Sequence, residues 1–173
     1  MSAPEVQWVL QRIDEYYGAG ALSAGVGGAG EGPPLERVDR DESQLLEQGV
    51  RSHTAELQNA NIVGASLADY MTSVVGTEYD HAVEAIVGLR IAGLHHSEWG
   101  HIDPDGSDGA PWSSLVATVR RALLRERTWP AVGRPDVSYT DLQLVNPAPQ
   151  SSNYGDYYRY DVDVQFRGYE ELP

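Results

Sequence analysis

The sequence predicts an α+β domain: a mostly antiparallel mixed sheet of about four to five strands with two main helices packed on it. Three stretches carry that prediction. Residues 84–94 alternate Val87, Leu89 and Ile91 with Gly88, Arg90 and Ala92, a period of two that puts an aliphatic stripe on one face. Residues 112–127 set Leu115, Val116, Val119, Ala122 and Leu123 on one apolar helical face, with Arg120, Arg121, Arg125 and Arg127 pointing elsewhere. Residues 158–167 alternate again, Tyr158, Tyr160, Val162, Val164 and Phe166 against Arg159, Asp161, Asp163, Gln165 and Arg167. The order is helix, variable region, strand pair, helix, strand pair, which places the helices on one side of the sheet.

In chain order, residues 4–17 read as a first helix, with Val6, Val9, Leu10, Ile13 and Tyr17 on one face and Gln7, Gln11, Arg12, Asp14 and Glu15 opposite or flanking. Residues 18–34 are too glycine-rich for regular structure and read as a flexible loop. No Gly-Lys-Ser/Thr follows to make a phosphate cradle of it. Residues 35–58 read as a charged arm or insertion, helical or extended. Residues 60–75 mix β-branched and small residues and predict one or two strands, breaking near 76–80. The strand at 84–94 is expected to pair antiparallel with them. Pro111 suits the first position of the second helix, and Trp129-Pro130 stops it. Residues 137–145 predict a strand that Asn146-Pro-Ala-Pro149 breaks, followed by a polar loop at 150–155 and the final strand.

At 173 residues the chain reads as a single domain, 1–173, large enough for a sizeable core. No run approaches the roughly eighteen apolar residues of a membrane span. The first residues lack the basic head and apolar run of a secretory signal, so the expectation is a protein made in the cytoplasm with no membrane partner. Asp and Glu total 26 against 12 basic residues, all of them Arg, for a formal charge of -14. A carboxylate-rich surface without Lys suits a cytoplasm of molar salt, where self-repulsion is screened within a few ångströms. High-GC coding also favours Arg over Lys. With no basic stripe to neutralise phosphates, nucleic-acid binding by attraction is disfavoured. The absence of Cys excludes disulfides, thiolate metal sites and Cys nucleophiles from this chain.

Metal-capable groups concentrate at 95–108: His95, His96, Glu98, His101, Asp103, Asp105 and Asp108. There is no His-Glu-x-x-His pair for zinc, and adjacent histidines on extended chain cannot face one centre. Asp103-Pro-Asp-Gly-Ser-Asp carries its glycine at the fourth position, where a calcium-binding EF-hand loop needs it at the sixth. The loop therefore reads as an acidic, solvated connection, with no metal, no cofactor and no catalytic residue assigned. Ser66, in Gly-Ala-Ser-Leu-Ala, lacks the second glycine of a nucleophile elbow and falls in a predicted strand. Nothing selects a carboxylate pair for glycoside chemistry. Aromatics outside the apolar stripes, Trp99, Tyr154, Tyr157 and Tyr169, are of the type enriched at protein interfaces. With His95, His96, Glu98 and His101 they form the candidate subunit or partner interface.

The order of elements resembles the tail terminator (tail-completion) proteins of long-tailed viruses. The segments that carry the resemblance are 85–94, the helix Pro-Trp-Ser-Ser-Leu-Val-Ala-Thr-Val-Arg-Arg-Ala-Leu within 111–127, 139–145, and 157–173 with its closing Phe-Arg-Gly-Tyr-Glu-Glu-Leu-Pro. Together with the composition, the chain looks like the version of a haloarchaeal tailed virus or provirus. The resemblance covers the layout of residues 60–173. It implies a virion protein of the tail or neck: a homo-hexameric ring that caps the tail tube, ends its polymerisation and joins it to a head-completion protein. Genomic DNA then passes through the lumen without specific binding. The exposed edge of the 84–94 hairpin, the 95–110 loop and the C-terminal strand are the expected mating surfaces. Another head–tail connector component is the alternative within that class. A small metal-dependent hydrolase using the 95–108 loop is the alternative outside it.

Overall fold

Among the described residues, five strands run side by side in the order β1-β2-β3-β5-β4. The computed structural model describes residues 3–17, 35–37, 61–96, 100, 102–103, 112–149 and 157–171. Its elements are α1 (Pro4–Tyr17), β1 (Leu35–Arg37), β2 (Asn61–Val75), β3 (Thr77–Leu94), α2 (Trp112–Leu124), β4 (Val137–Pro149) and β5 (Tyr157–Glu171). The glycine-rich 18–34, most of the 35–58 arm and Pro111 lie outside the described residues. The α+β expectation holds. β2, β3, β5 and β4 pair antiparallel in succession, and β1 adds a short parallel pairing, Leu35 to Asn61 through Arg37 to Val63. That strand at the start of the charged arm was not foreseen; three residues are too few for a period to show.

Register explains the core. Val87 lies between Leu67 and Val164, Leu89 between Ala65 and Val162, and Ile91 between Val63 and Tyr160. These rows build one apolar face three strands wide, which β4 extends with Leu142 beside Phe166 and Leu144 beside Val164. The apolar faces of α1 and α2 cover it: Val6, Val9, Leu10 and Ile13 with Leu115, Val119 and Leu123 join a single buried cluster. Each such side chain contributes about 1.5–3 kcal/mol when fully buried. Trp8, which the helical stripe did not include, is buried edge-on against Phe166 at 5.6 Å. The opposite face carries charged residues. There Arg90 donates to Asp161 across the β3–β5 ladder at 3.0 Å, and Arg159 donates to the same carboxylate at 2.6 Å.

Two expected strand ends move. Residues 76–80 are not a loop: Gly76, at φ 79°, is the whole turn, and Val75 pairs directly with Thr77. A left-handed residue there is what a tight hairpin needs. At the other site, Asn146-Pro-Ala-Pro149 does not end β4. The chain absorbs it in a bulge between Val145 and Ala148, with Asn146 at φ 52°, and pairing to β5 resumes. β4 is an edge strand, where a missing proline N–H faces away from the ladder. The exposed edge expected of the 84–94 hairpin is not on β3, which is paired on both sides, to β2 and β5. Among the described residues, no helix is long and apolar enough to cross a membrane.

Candidate functional site

Beyond Leu94 the chain turns back on itself. Ile102 N–H donates to Leu94 O at 3.0 Å, His96 N–H to Ile102 O at 2.9 Å, and Gly100 N–H to His95 O at 3.1 Å. His95 and Ile102 form a parallel bridge. Ile102 is 0% exposed and fills the space over Gly93, where a Cβ would lie 2.6 Å from the isoleucine and 2.7 Å from Asn61 Oδ1. The solvated connection expected at 95–108 is therefore corrected at its centre. Ile102 belongs to the core and Asp103 is 3% exposed.

Because regular pairing stops at Leu94, the two histidines do not lie on extended chain, and the objection to their convergence lapses. Their rings stand 4.3 Å apart. One ligand atom from each of His95, His96 and Asp103 lies within 4.8 Å of the others. His95 also stacks on Tyr158 at 6.3 Å, and Trp112 packs on the same tyrosine at 5.6 Å, tying the corner to α2 and β5. Glu98, Trp99, His101, Asp105, Asp108 and Tyr154 lie outside the described residues. Tyr157 pairs through its backbone with Leu94.

At the far end of β3, near the hairpin turn, the helix-free face carries exposed apolar side chains. Met71 is 44% and Tyr169 55% exposed, and Val74 and Val75 stand exposed beside the turn. Met71 and Tyr169 line a groove of about 610 Å³, whose walls include Glu84 and Arg167, themselves ion-paired at 3.5 Å. The outer edge of β4 is partly closed. Trp129 N–H donates to Thr140 O and Leu142 N–H to Arg127 O, both at 2.9 Å. Such capping blunts a strand edge against stray pairing.

A third cluster was invisible in the sequence. Glu5, in the first turn of α1, is 0% exposed. Tyr139 OH donates to it at 2.6 Å and Arg134 at 3.3 Å, and the Arg134 guanidinium stacks over the Tyr70 ring at 4.1 Å. Burial, then the bond to Glu5, pushes the Tyr139 phenol above its ordinary value; burial does the same to Tyr70. A Glu in a first helical turn reads as a partner of the helix dipole, and no spacing hints at its partners on β4 and the preceding loop. The cluster joins α1 to the sheet.

No family model matches this sequence, and no curated protein matches it. Among solved structures, it is similar to a chain of the "Virion of native gene transfer agent (GTA) particle". The two are 14% identical, with a TM-score of 0.41, and the match covers 87% of this chain and 96% of that one.

Proposed function

We propose that this chain is a structural virion protein of a tailed virus. In this reading it forms a ring that caps the tail tube, ends its polymerisation and joins the tail to the neck, with no catalytic role. The observation that carries the reading is the placement of two dissimilar surfaces at opposite ends of β3. One is the Met71–Tyr169 groove beside the hairpin turn; the other is the corner at His95 to Asp103. From Glu84 to Leu94 the strand spans roughly 33 Å at about 3.3 Å per residue. A head-to-tail ring requires two different patches that fit each other, separated across the subunit. Tyr and Met flanked by charged groups are the composition of an interface core and its rim.

Charge supports the same reading. Copies of a chain with a formal charge of -14 would surround a channel through which DNA slides without sticking, since no counterions are released on contact. The acidic, Lys-free composition suits a haloarchaeal host. Tail tube protein on one side and a head-completion protein on the other are the partners.

Light scattering in about 2 M salt, where carboxylate repulsion is screened, tests the assembly. The expected particle has about six times the 18.9 kDa of one chain. Added tube protein is expected to bind and stop elongating; binding to a portal-side protein instead would reassign the chain to another neck position. A monomer at every salt concentration, with and without tube protein, would overturn the proposal.

A further inference from the structure

We infer that His95, His96 and Asp103 form a binding site for one divalent transition-metal ion, Zn²⁺ in the first instance. The inference is separate from the ring: it asks nothing of assembly and would stand if the chain were a monomer. Three observations carry it. The ligand atoms already lie within 4.8 Å of one another. Their backbone is held by the bridge between His95 and Ile102 and the hydrogen bonds that flank it, and Ile102, next to Asp103, is anchored in the core. Finally, Asp103 is 3% exposed and lies beside two half-buried imidazoles, so the three donors meet at the margin of the core rather than on a mobile surface.

The donor set selects the metal. Two imidazole nitrogens and one carboxylate oxygen suit Zn²⁺, Co²⁺ or Ni²⁺, whereas Ca²⁺ and Mg²⁺ demand oxygen cages. Bonds of about 2.0–2.1 Å place tetrahedral ligand atoms about 3.3 Å apart. The three side chains then close by at most about 1.5 Å, within reach of χ rotations on a fixed backbone. Three protein ligands leave a fourth position for water. Both imidazoles bind as neutral ligands, so uptake is coupled to loss of any proton they carry. An ion here would clamp Asp103 to the end of β3.

The test uses the full chain without a histidine tag, dialysed in high salt against micromolar Zn²⁺ with excess Mg²⁺ to occupy surface carboxylates, followed by elemental analysis. One Zn²⁺ per chain is expected in the wild type, with loss of that ion in His95→Ala, His96→Ala and Asp103→Asn. Co²⁺ in its place is expected to give the intense visible absorption of a four- or five-coordinate nitrogen-ligated site. Zn²⁺ should raise Tm for the wild type and leave His96→Ala unmoved, its metal-free Tm and near-UV dichroism showing that it folds. If Asp103→Asn does not fold, the half-buried histidines decide. Failure of the wild type to retain zinc would overturn the site. Equal retention by the His95→Ala/His96→Ala double variant would overturn it too, by placing the metal on surface carboxylates.

Discussion

Tyr139 on β4 donates a 2.6 Å hydrogen bond to Glu5 at the start of α1, across 134 positions of sequence. Both side chains are buried, and Arg134 supplies the countercharge at 3.3 Å. This contact fixes where the first helix meets the sheet. Removing the hydroxyl in Tyr139→Phe leaves the carboxylate one donor short, which is expected to destabilise the fold by about 1–3 kcal/mol. Urea unfolding at fixed salt measures it, with a fall in midpoint at unchanged slope as the expected result.

The same pair sets a high-pH limit. In the unfolded chain Tyr139 releases its proton near the ordinary value of about 10. In the folded chain, burial and the bond to Glu5 hold the proton to higher pH. Above about pH 10 the unfolded state therefore binds fewer protons, and stability falls as pH rises toward the folded value. Tyr70, pushed the same way by burial, adds to the slope. Stability measured from pH 8 to 11, roughly spanning the phenol's ordinary value, should decline at the upper end. Tyr139→Phe should flatten that decline; an unchanged slope would remove this pair from the account.

Asp161 accepts from both Arg90 and Arg159 on the helix-free face. Asp161→Ala takes the carboxylate from beside Arg90, whose side chain is 4% exposed. Removing one partner of a fully buried pair costs about 3–5 kcal/mol. Asp161 keeps 25% of its side-chain surface in water, so roughly 2–3 kcal/mol is expected here. Asp161→Asn should recover part of the loss through its remaining acceptor oxygen.

Glycine has opposite meanings at two places. A Cβ on Gly168 would collide with the Ser138 carbonyl and stand 2.6 Å from Tyr139 Cα. Gly168→Ala must spread β4 from β5 and is expected to cost more than about 2 kcal/mol. A Cβ on Gly76 meets nothing within 4 Å, but its φ of +79° opposes it. Gly76→Ala should cost only about 1 kcal/mol. Thermal unfolding of the two variants side by side checks the ranking.

Met71→Ser with Tyr169→Ser tests the proposed mating surface. Both side chains are exposed in the single chain, so each change should alter its stability by no more than about 0.5 kcal/mol. The assembled mass in high salt should nonetheless fall to that of a monomer. A ring that forms as before would move the interface elsewhere.

Much of the fold was legible because its face-forming elements repeat a period. β5 was read correctly as Tyr158 to Phe166 facing inward, since every second residue from 158 to 166 is aromatic or β-branched and Phe166 alone among them is a phenylalanine. α1 and α2 were read from i, i+3, i+4 stripes; Val6, Val9, Leu10 and Ile13 of the first and Leu115, Val119, Ala122 and Leu123 of the second are buried. Trp8 was missed because it lies at the margin of its stripe, where only the position of Phe166 decides burial. The prolines of β4 were read as a break because local chemistry cannot tell an edge strand from a central one. The corner at His95 was half legible. Its residue types stood out, but their convergence depends on Ile102 folding back into the core.

By itself, then, the sequence determined the class of the fold, the antiparallel pairing of its long strands and the inward faces, since those follow from alternation along the chain. Only the tertiary structure decided that β3 has no free edge, that Glu5 is buried against Tyr139, and that His95, His96 and Asp103 share one corner. These are contacts between residues that are not neighbours in any local repeat. Their energies depend on which surfaces meet, and no local period encodes that.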